Sequence, residues 1–402
     1  MIEVKLKDIA LNITDGKHGD CQSEDNSGFY FISCKDIYDG HIHYSGARQI
    51  TQKDYMETDK RTRLEPNDIL VTNSGTIGRM SLVKDVPQTY RTTFQKSVAI
   101  VKPNKNIVKP EYLYYALANC VRQFINEANG AAQKNLLLGT MRDFRLKIEE
   151  NLDLQDKISN ILWMYDNLIE NNQKQIKLLE EAAQRIYKEW FIDLHFPGYE
   201  ATEIFEDIPN GWDKKKISDL GEIITGKTPS TTKKQYYGGY IPFVKIPDMH
   251  DCIYPIKTEL SLTTEGANTQ KNKFIPKNGI MVSCIATVGL VNIAVERCQT
   301  NQQINSIILN NEKDLYYVYS TMKKLKTLLE GIGSNGATMT NVNKTKFGNL
   351  EVLYPSEDLR KAYYDFCKPI FEEIYTLSVK ISELSQARDC LLPKLMSGEL
   401  EV

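Results

Sequence analysis

Apolar residues recur at alternating spacings of four and three along two stretches of the chain. The first stretch, residues 154–192, contains no glycine or proline and is predicted to form one helix. The second stretch closes the chain with the same spacing, which is typical of a coiled-coil seam. The apolar and aromatic seam residues are Ile158, Leu162, Tyr165, Ile169, Ile176, Leu179 and Ile186 in the first stretch, and Ile370, Ile374, Leu377, Ile381, Leu384 and Leu391 in the second.

Two seams in one chain most simply pair with each other, as an intramolecular antiparallel coiled coil. The residues from Ile158 to Trp190 would then form a rod of about 50 Å, at ~1.5 Å per residue. Asn172 and Arg388 interrupt the stripes, and Asn172 either fixes the register or faces solvent at a wide point of the seam. Pro393 is expected to end or kink the final helix. The alternative is that each helix packs on its own globular domain.

Outside these stretches, short β-branched runs lie beside turn residues, which predicts strands. The predicted strands are 40–43, 68–72 and 97–101, and later in the chain 280–283 and 305–309. The predicted helices are 110–126 and 314–329. Strands and helices in this mixture indicate an α+β class, and the sequence leaves the order of the strands open.

The elements recur because the sequence is duplicated at a step of about 206 residues. Asn129-Gly130-Ala131-Ala132 returns as Asn335-Gly336-Ala337-Thr338, and Thr76-Ile77-Gly78 returns as Thr287-Val288-Gly289. A period this long indicates two similar domains and not a solenoid. We therefore predict a pseudo-twofold chain with a first globular domain at 1–150, a long helix at 151–196, a second globular domain at 197–355 and a second long helix at 356–402.

The charge repeats with the sequence. The chain of 402 residues has a net charge of −2, but each globular segment (1–150 and 200–355) has +2 and each helical segment (151–199 and 356–402) has −3. Taken alone, this asymmetry is weak evidence for DNA binding.

The cysteines and the hydropathy exclude several classes of protein. The eight cysteines stand singly, without a CxxC pair, and only five histidines accompany them, which favours reduced thiols and argues against a zinc site. No segment approaches the ~20 apolar residues of a membrane helix, and the first residues lack the apolar core of a signal peptide. We expect a cytoplasmic protein without a metal.

Polar, glycine-bearing loops separate the predicted strands in both copies. Lysine and hydroxyl side chains suit phosphate contacts, whereas glutamine, asparagine and arginine can read base edges. For any one of these residues an ordinary solvated turn explains the pattern equally well, but the repeated set favours a functional role. The candidate DNA-binding residues are Lys17, His18, Ser74, Thr76, Arg79, Gln95 and Lys96 in the first copy, and Lys227, Thr228, Ser230, Thr231, Lys233, Lys234, Tyr237, Lys245, Gln302, Gln303, Asn335 and Thr338 in the second.

Residues 221–228 match the Walker A pattern GxxxxGK[ST]. A phosphate-binding loop needs a flexible interior followed by a helix at the lysine. The interior here is Glu222-Ile223-Ile224, which is typical of a strand, and Pro229 follows immediately. The sequence therefore argues against an ATP site, and it predicts no catalytic site elsewhere.

Several motifs together resemble the specificity (S) subunits of type I restriction–modification enzymes, over essentially the full chain. The first copy departs more from the pattern, because Asp15-Gly16-Lys17-His18-Gly19 replaces the GKTPS form and Phe94-Gln95-Lys96 replaces Asn-Gln-Gln. The motifs that carry the resemblance are EWFID (189–193), IPNGW (208–212), TGKTPS (225–230), YYGGYIP (236–242), ATVG (286–289), NQQIN (301–305) and LLPKLMSGEL (391–400).

The resemblance implies a non-catalytic subunit in which each globular domain reads one half of a bipartite double-stranded DNA target. The long helices would set the gap between the halves and bind two modification subunits. Those partners use S-adenosylmethionine to methylate adenine N6, whereas this chain itself binds no cofactor. The resemblance leaves open whether restriction (motor–nuclease) subunits, which use ATP and Mg²⁺, also join. A rod of about 50 Å is near one and a half turns of DNA at ~34–36 Å per turn.

Two other functions remain as alternatives to DNA recognition. One is an enzyme, a nuclease or ATPase that uses residues 221–228. The other is an assembly scaffold whose loops bind protein. Salt-dependent binding of duplex DNA would separate recognition from a scaffold.

Overall fold

The computed structural model describes residues 1–130, 134–333 and 341–402, which form two compact units. The first unit is Met1–Asn167 together with Ser385–Val402, and the second unit is Leu168–Leu384. The candidates Asn335 and Thr338 lie outside the described residues, as do Ala131 and Ala132 of the repeat.

The first unit mixes short strands with helices, and it includes the first part of one long helix and the last part of the other. Its strands are β1 (Ile2–Lys5), β2 (Ala10–Asp15), β3 (Tyr30–Ile32), β4 (Ile37–Tyr38), β5 (His41–Ile42), β6 (Ile69–Thr72), β7 (Met80–Leu82), β8 (Thr92–Phe94), β9 (Val98–Pro103) and β10 (Arg145–Ile148). Its helices are α1 (Gln52–Thr62), α2 (Pro110–Asn119), α3 (Val121–Glu127), α4 (Leu138–Asp143) and the first part of α5 (Leu152–Phe191).

The second unit has a corresponding set of elements. Its strands are β11 (Ile204–Phe205), β12 (Ile208–Pro209), β13 (Asp213–Lys216), β14 (Gly221–Thr225), β15 (Tyr237–Val244), β16 (Leu260–Leu262), β17 (Ile280–Ser283), β18 (Val291–Ile293), β19 (Gln299–Thr300), β20 (Ile304–Leu309) and β21 (Glu351–Tyr354). Its helices are α6 (Ile217–Leu220), α7 (Thr264–Asn268), α8 (Leu315–Lys324), α9 (Lys326–Gly333), α10 (Lys344–Gly348) and most of α11 (Glu357–Ser397).

The same four-stranded antiparallel sheet lies at the centre of each unit. The strand order is β2-β9-β6-β7 in the first unit and β14-β20-β17-β18 in the second. Each unit adds an antiparallel ribbon, β1 with β10 or β13 with β21, and a parallel pair, β3 with β8 or β15 with β19. The duplication of the sequence is therefore a duplication of the fold, and the predicted α+β class is confirmed.

Successive residues of the central strand pack into two different cores. In β6, Ile69 and Val71 belong to one apolar cluster, whereas Leu70 belongs to another on the opposite face of the sheet. In β17, Ile280 and Val282 face one cluster and Met281 faces the other. Side chains alternate across a strand, so a sheet covered on both faces needs a continuous apolar run, which both strands supply.

The two long helices pair within each unit. In the first unit, Leu162 of α5 and Leu395 of α11 are both fully buried in one cluster, and Arg388 binds Asp166 at 2.5 Å. The residue numbers rise along one helix as they fall along the other, so the pairing is antiparallel. The interruption at Arg388 is therefore one side of an ion pair between the helices.

The helix pairing in the second unit is largely aromatic. The ring of Trp190 lies 5.8 Å from that of Tyr363 and 6.4 Å from that of Phe366. Nearer the start of α5, Ala183 shares a core cluster with Phe371. Asn172 is 9% exposed, so it does not face solvent. The predicted antiparallel coiled coil is confirmed as a helix pair inside each unit, and in both units the pair also packs against the globular elements.

The boundaries of three predicted helices need correction. Residues 110–126 form two helices that separate at Cys120, and residues 314–329 separate at Leu325. The sequence predicts that Pro393 ends or kinks the final helix, and the first of these two outcomes is wrong, because α11 continues to Ser397. Leu395 and Met396 are buried in the first unit's core, and this packing outweighs the one backbone hydrogen bond that proline removes.

The breaks between α2 and α3 and between α8 and α9 have the same structural cause: a loop glycine packs against the start of the second helix. Gly78, at φ +88°, lies so close to Val121 that a Cβ at this position would come within 2.5 Å of it. Gly289, at φ +87°, has the same relation to Lys326. In both units the second helix begins where it meets a glycine of the loop that precedes β7 or β18.

Candidate nucleic-acid interface

The candidate loops of the first unit meet at one end of the four-stranded sheet. In the antiparallel register, Asp15 at the end of β2 pairs with Ala99, and Thr72 at the end of β6 pairs with Val98. The loops that follow β2 and β6, and the loop that precedes β9, therefore emerge together. Backbone bonds join them, since Asn73 N–H donates to Ser97 O at 3.0 Å.

The second unit repeats this arrangement. Thr225 at the end of β14 pairs with Asn305, and Ser283 at the end of β17 pairs with Ile304. Cys284 N–H donates to Gln303 O at 2.8 Å, in the place of the Asn73–Ser97 bond. We call this end of each sheet its loop end.

A glycine brings one loop against its neighbour at each loop end. A Cβ on Gly16 would lie 2.0 Å from Phe94 O, and a Cβ on Gly226 would lie 2.1 Å from Asn301 O. The next residue then donates its backbone N–H across the gap, from Lys17 to Phe94 O at 2.8 Å and from Lys227 to Thr300 O at 2.9 Å. Lys17 and Lys227 thus occupy equivalent positions.

These hydrogen bonds shift the alignment of Phe94-Gln95-Lys96 with Asn301-Gln302-Gln303 by one residue. Phe94 is the counterpart of Thr300, because both carbonyls accept from the equivalent lysine. Gln95-Lys96-Ser97, and not Phe94-Gln95-Lys96, therefore corresponds to Asn301-Gln302-Gln303. The apolar Phe94 is fully buried in the core, which explains why it is not part of the exposed loop.

The two equivalent lysines have different electrostatic surroundings. Lys17 Nζ lies 3.8 Å from Asp54 Oδ1 and 3.7 Å from Glu57 Oε1, both on α1, and its side chain is 23% exposed. Lys227 is exposed, and within the described ranges no carboxylate lies within ion-pair distance of it. The second unit therefore offers a lysine that is free to contact phosphate, whereas the first unit neutralises its counterpart.

The remaining candidates of the first unit differ in exposure and in the partners that they bind. His18 Nε2 lies 2.8 Å from Asp15 Oδ2, and Asp15 is also bound by Arg61. Ser74 is half-buried and forms a β-bridge with Asn135. Gln95 is half-buried, and its backbone N–H donates to Ile32 O at 2.9 Å. The exposed candidates are His18, Thr76, Arg79 and Lys96.

The loop that follows β14 carries most candidates of the second unit. Ser230, Thr231, Lys233 and Lys234 are exposed, and Lys233 Nζ donates to the hydroxyl of Tyr236 at 3.1 Å. That hydrogen bond raises the pKa of the Lys233 ammonium. Tyr237 is half-buried and donates to Pro229 O at 2.8 Å. Burial raises the pKa of the Tyr237 phenol, and the hydrogen bond from its hydroxyl to Pro229 O supports the loop.

Two further candidates of the second unit make internal bonds. Lys245 Nζ binds Glu259 Oε2 at 2.7 Å, so its charge is compensated. Gln303 Oε1 accepts from Asn301 Nδ2 at 2.8 Å. Gln302, by contrast, is exposed, and its Oε1 accepts from the hydroxyl of Thr228 at 2.7 Å.

Sequence reasoning missed the groups that hold these loops. The carboxylates that bind Lys17 come from α1, a helix that was not predicted. Gln270 and Gln299 are almost completely buried beneath the loop that carries Lys227. Gln270 stands in a polar run, Asn268-Thr269-Gln270-Lys271, which gives no sign of burial. The duplication gave no help either, because the first unit has threonines at the equivalent places.

The Walker A match has the wrong structure for a phosphate-binding loop. Residues Gly221–Thr225 form strand β14, paired with β20, so the loop interior is an extended strand. Lys227 is followed by loop residues and not by a helix. The backbone therefore does not form the phosphate cradle that this motif requires.

Neither a metal-binding cluster nor a membrane-spanning helix is found among the described residues. Within the part of the chain that the structure describes, His, Cys, Asp and Glu side chains form no group of three that could hold a metal ion. None of the helices in residues 1–130, 134–333 and 341–402 is both long and apolar enough to cross a membrane.

Comparison with known proteins shows that the chain matches the model of one protein family. The family described as "Type I restriction modification DNA specificity domain" matches twice, at residues 2–181 and 209–384. The HindI specificity subunit of Haemophilus influenzae is 31% identical over 367 residues, covering 75% of this chain and 80% of that protein. The MjaIX specificity subunit of Methanocaldococcus jannaschii is 27% identical over 370 residues, covering 89% and 83%.

A solved structure has a similar fold. The S subunit of a type I restriction–modification system from M. genitalium superposes with a TM-score of 0.58 at 15% identity. The superposition covers 98% of this chain and 95% of that one.

Proposed function

We propose, from the premise that this chain belongs to the type I restriction–modification DNA specificity family, that its two loop ends read the two halves of one DNA target. As a specificity subunit, the chain recognises a DNA sequence within a restriction–modification complex and is not itself a catalyst. The division of the target between the two units is our inference.

The duplicated loop end is the observation that carries this proposal. Both units bring three polar loops together at the same end of the same sheet, and each contains an exposed basic or amide side chain, Lys96 or Gln302, at an equivalent position. Amide groups recognise base edges, and lysines contact phosphates. Two similar loop ends with different side chains suit a target with two different halves.

The proposal assigns residues 1–150 and 197–355 to recognition and the long helices to assembly. We propose that the helices bind two modification subunits and set the gap between the half-sites. Those partners would supply S-adenosylmethionine and methylate adenine N6, and a restriction subunit with ATP and Mg²⁺ could complete a nuclease. The complex would act on DNA in the cytoplasm.

Selection from random duplex DNA tests this function. The chain would be purified with its modification subunits and used to enrich duplexes at moderate salt. The expected result is a target with two short specified blocks separated by an unspecified gap. A single contiguous block would contradict the assignment of one half-site to each unit, and no sequence enrichment would contradict recognition altogether.

A further inference from the structure

A pair of buried glutamines lies beneath the exposed loop of the second unit. Gln270 is 4% exposed and Gln299 is fully buried. Gln270 Nε2 donates to Gln299 Oε1 at 2.8 Å, and Gln299 Nε2 donates to Ala267 O at 3.0 Å and to Gln270 O at 3.2 Å. Buried amides are costly unless they are hydrogen-bonded. All four side-chain N–H groups of the pair and Gln299 Oε1 are bonded, whereas Gln270 Oε1 has no partner among the described residues, and these bonds join the end of α7 to β19.

Gln270 also holds the recognition loop directly. Its Nε2 donates to the backbone carbonyl of Lys227 at 2.7 Å. The N–H of Lys227 donates to Thr300 O at 2.9 Å. Lys227 is therefore fixed on both sides of its backbone, on one side by the sheet and on the other by a buried side chain.

The next residue connects this fixed backbone to an exposed side chain. Thr228 follows Lys227 in the chain, and its hydroxyl donates to Gln302 Oε1 at 2.7 Å. That bond defines the orientation of an exposed carboxamide whose two N–H donors make no hydrogen bond within the described residues. Such donors match the O6 and N7 acceptors of guanine, or N7 of adenine, in the major groove.

The first unit lacks this device. Thr62 and Thr93 take the place of the glutamine pair, with their hydroxyls 3.4 Å apart. The carbonyl of Lys17 accepts instead from the backbone N–H of Lys96 at 3.1 Å. Among the described residues, support of the lysine's backbone carbonyl by a buried side chain is therefore found in the second unit, whereas in the first unit the side chains of α1 bind Asp15 and the Lys17 ammonium.

We propose that Gln270 is a positioning residue for base recognition in the second unit. Through the Lys227 carbonyl and the Thr228 hydroxyl it fixes the direction in which Gln302 presents its donors to a base. This inference rests on the proposed function. It adds that Gln270 determines the orientation of Gln302, the residue that contacts the base.

The test compares variants of the full chain in complex with its modification subunits. Gln270→Met keeps the side-chain volume and removes both donated hydrogen bonds, and Thr228→Val removes the hydroxyl that orients Gln302. Each would be used to select from random duplex DNA, and base preference would be read position by position. Both are expected to lower the preference at the same one or two positions of one half-site by about tenfold, with no change in the other half-site.

Asn292→Leu is the matched control. Asn292 is a fully buried carboxamide of the same unit that donates to Cys252 O at 2.7 Å and Met249 O at 3.3 Å, away from the loop. This variant is expected to lower the unfolding temperature as much as Gln270→Met does and to keep the base preference. The double variant Gln270→Met with Thr228→Val should lose no more preference than either single variant, because the two act through one path.

The outcomes separate this proposal from the function on which it rests. One outcome is that the wild-type complex selects both half-sites and the Gln270→Met variant selects them equally well. That result would overturn the positioning role of Gln270 and leave the proposed function intact. Equal loss of preference in Asn292→Leu would also overturn it, since general destabilisation would then explain the effect. If the wild-type complex enriched no sequence, the proposed function itself would fail.

Discussion

The two units share a backbone and differ in the polar groups that it carries. Both have the same sheet order and a glycine at the loop end, and in both a break separates two consecutive helices, α2 from α3 or α8 from α9. At three equivalent places, however, their side chains diverge: Lys17 is neutralised where Lys227 is free, Thr62 and Thr93 stand for Gln270 and Gln299, and Gln155 stands for Arg360. Close backbone contacts are shared by both copies, whereas the hydrogen-bonding groups built on them can change.

The largest expected difference concerns the start of the long helices. In the second unit, the buried Arg360 binds the buried Asp314, which also accepts from the hydroxyl of Tyr354 at 2.6 Å. In the first unit, the fully buried Gln155 accepts from Lys109 N–H at 2.7 Å and donates to Glu149 O at 2.7 Å. One unit thus uses an ion pair where the other uses a neutral amide.

Removing these two side chains should therefore have unequal costs. Arg360→Met leaves a buried carboxylate without its cation and is expected to cost about 3–5 kcal/mol of unfolding free energy. Gln155→Met leaves neutral groups unpaired and should cost about 1–3 kcal/mol. Urea unfolding of the full-length variants measures both, and equal costs would contradict the comparison.

The second prediction concerns the loop-end glycines. Gly226→Ala forces a methyl group against Asn301 O, and overpacking of this kind costs about 1–3 kcal/mol, so discrimination in the second unit's half-site should fall by about thirtyfold. Gly16→Ala should have the same effect on the other half-site. Competition binding with half-site variants measures the loss.

Gly331→Ala is the control for the glycine variants. A Cβ at this position of α9 meets nothing within 4 Å, so the substitution should leave both half-sites unchanged. Loss of both half-sites in a single loop-end variant would show that the units do not act separately.

The third prediction concerns phosphate contacts. Lys227→Gln should weaken binding to all sequences and reduce the slope of log affinity against log salt by about 1. Lys17→Gln should change the slope less, because Asp54 and Glu57 already compensate its charge. Titrations of duplex DNA at a series of salt concentrations measure both slopes. Equal changes in the two variants would show that the carboxylates do not compensate the charge of Lys17.

The smallest expected effect tests those carboxylates. Glu57→Gln removes one of the two charges that hold Lys17 and should strengthen DNA binding by about two- to threefold at low salt, as expected for an exposed ion pair. The matched substitution Glu24→Gln, in the same unit, removes an exposed carboxylate that binds no lysine in the described residues. A similar gain in both variants would reflect net charge alone.

The sequence predicted the features that depend on periodicity. The step of about 206 residues predicted two similar domains, and the spacing of Ile158, Leu162 and their successors predicted helix α5. The central strands followed from β-branched runs beside turn residues, such as Ile280-Met281-Val282-Ser283.

The features set by tertiary packing could not be predicted in this way. Pro393 is tolerated because Leu395 and Met396 are anchored in a core that the sequence pattern does not reveal. In the sequence Gln270 looks like a surface residue, and its burial is seen only when the end of α7 is placed beneath the loop of Lys227. The one-residue shift between the copies at Phe94 became visible only from the hydrogen bonds of Lys17 and Lys227.

Exchange of one unit tests the central claim most directly. Residues 210–350 would be replaced by the corresponding segment of another specificity subunit, and the target of the hybrid complex would be selected from random duplex DNA. We expect one specified block to change to that of the donor while the other block stays as in the parent. A change in both blocks, or in neither, would contradict the assignment of one half-site to each unit.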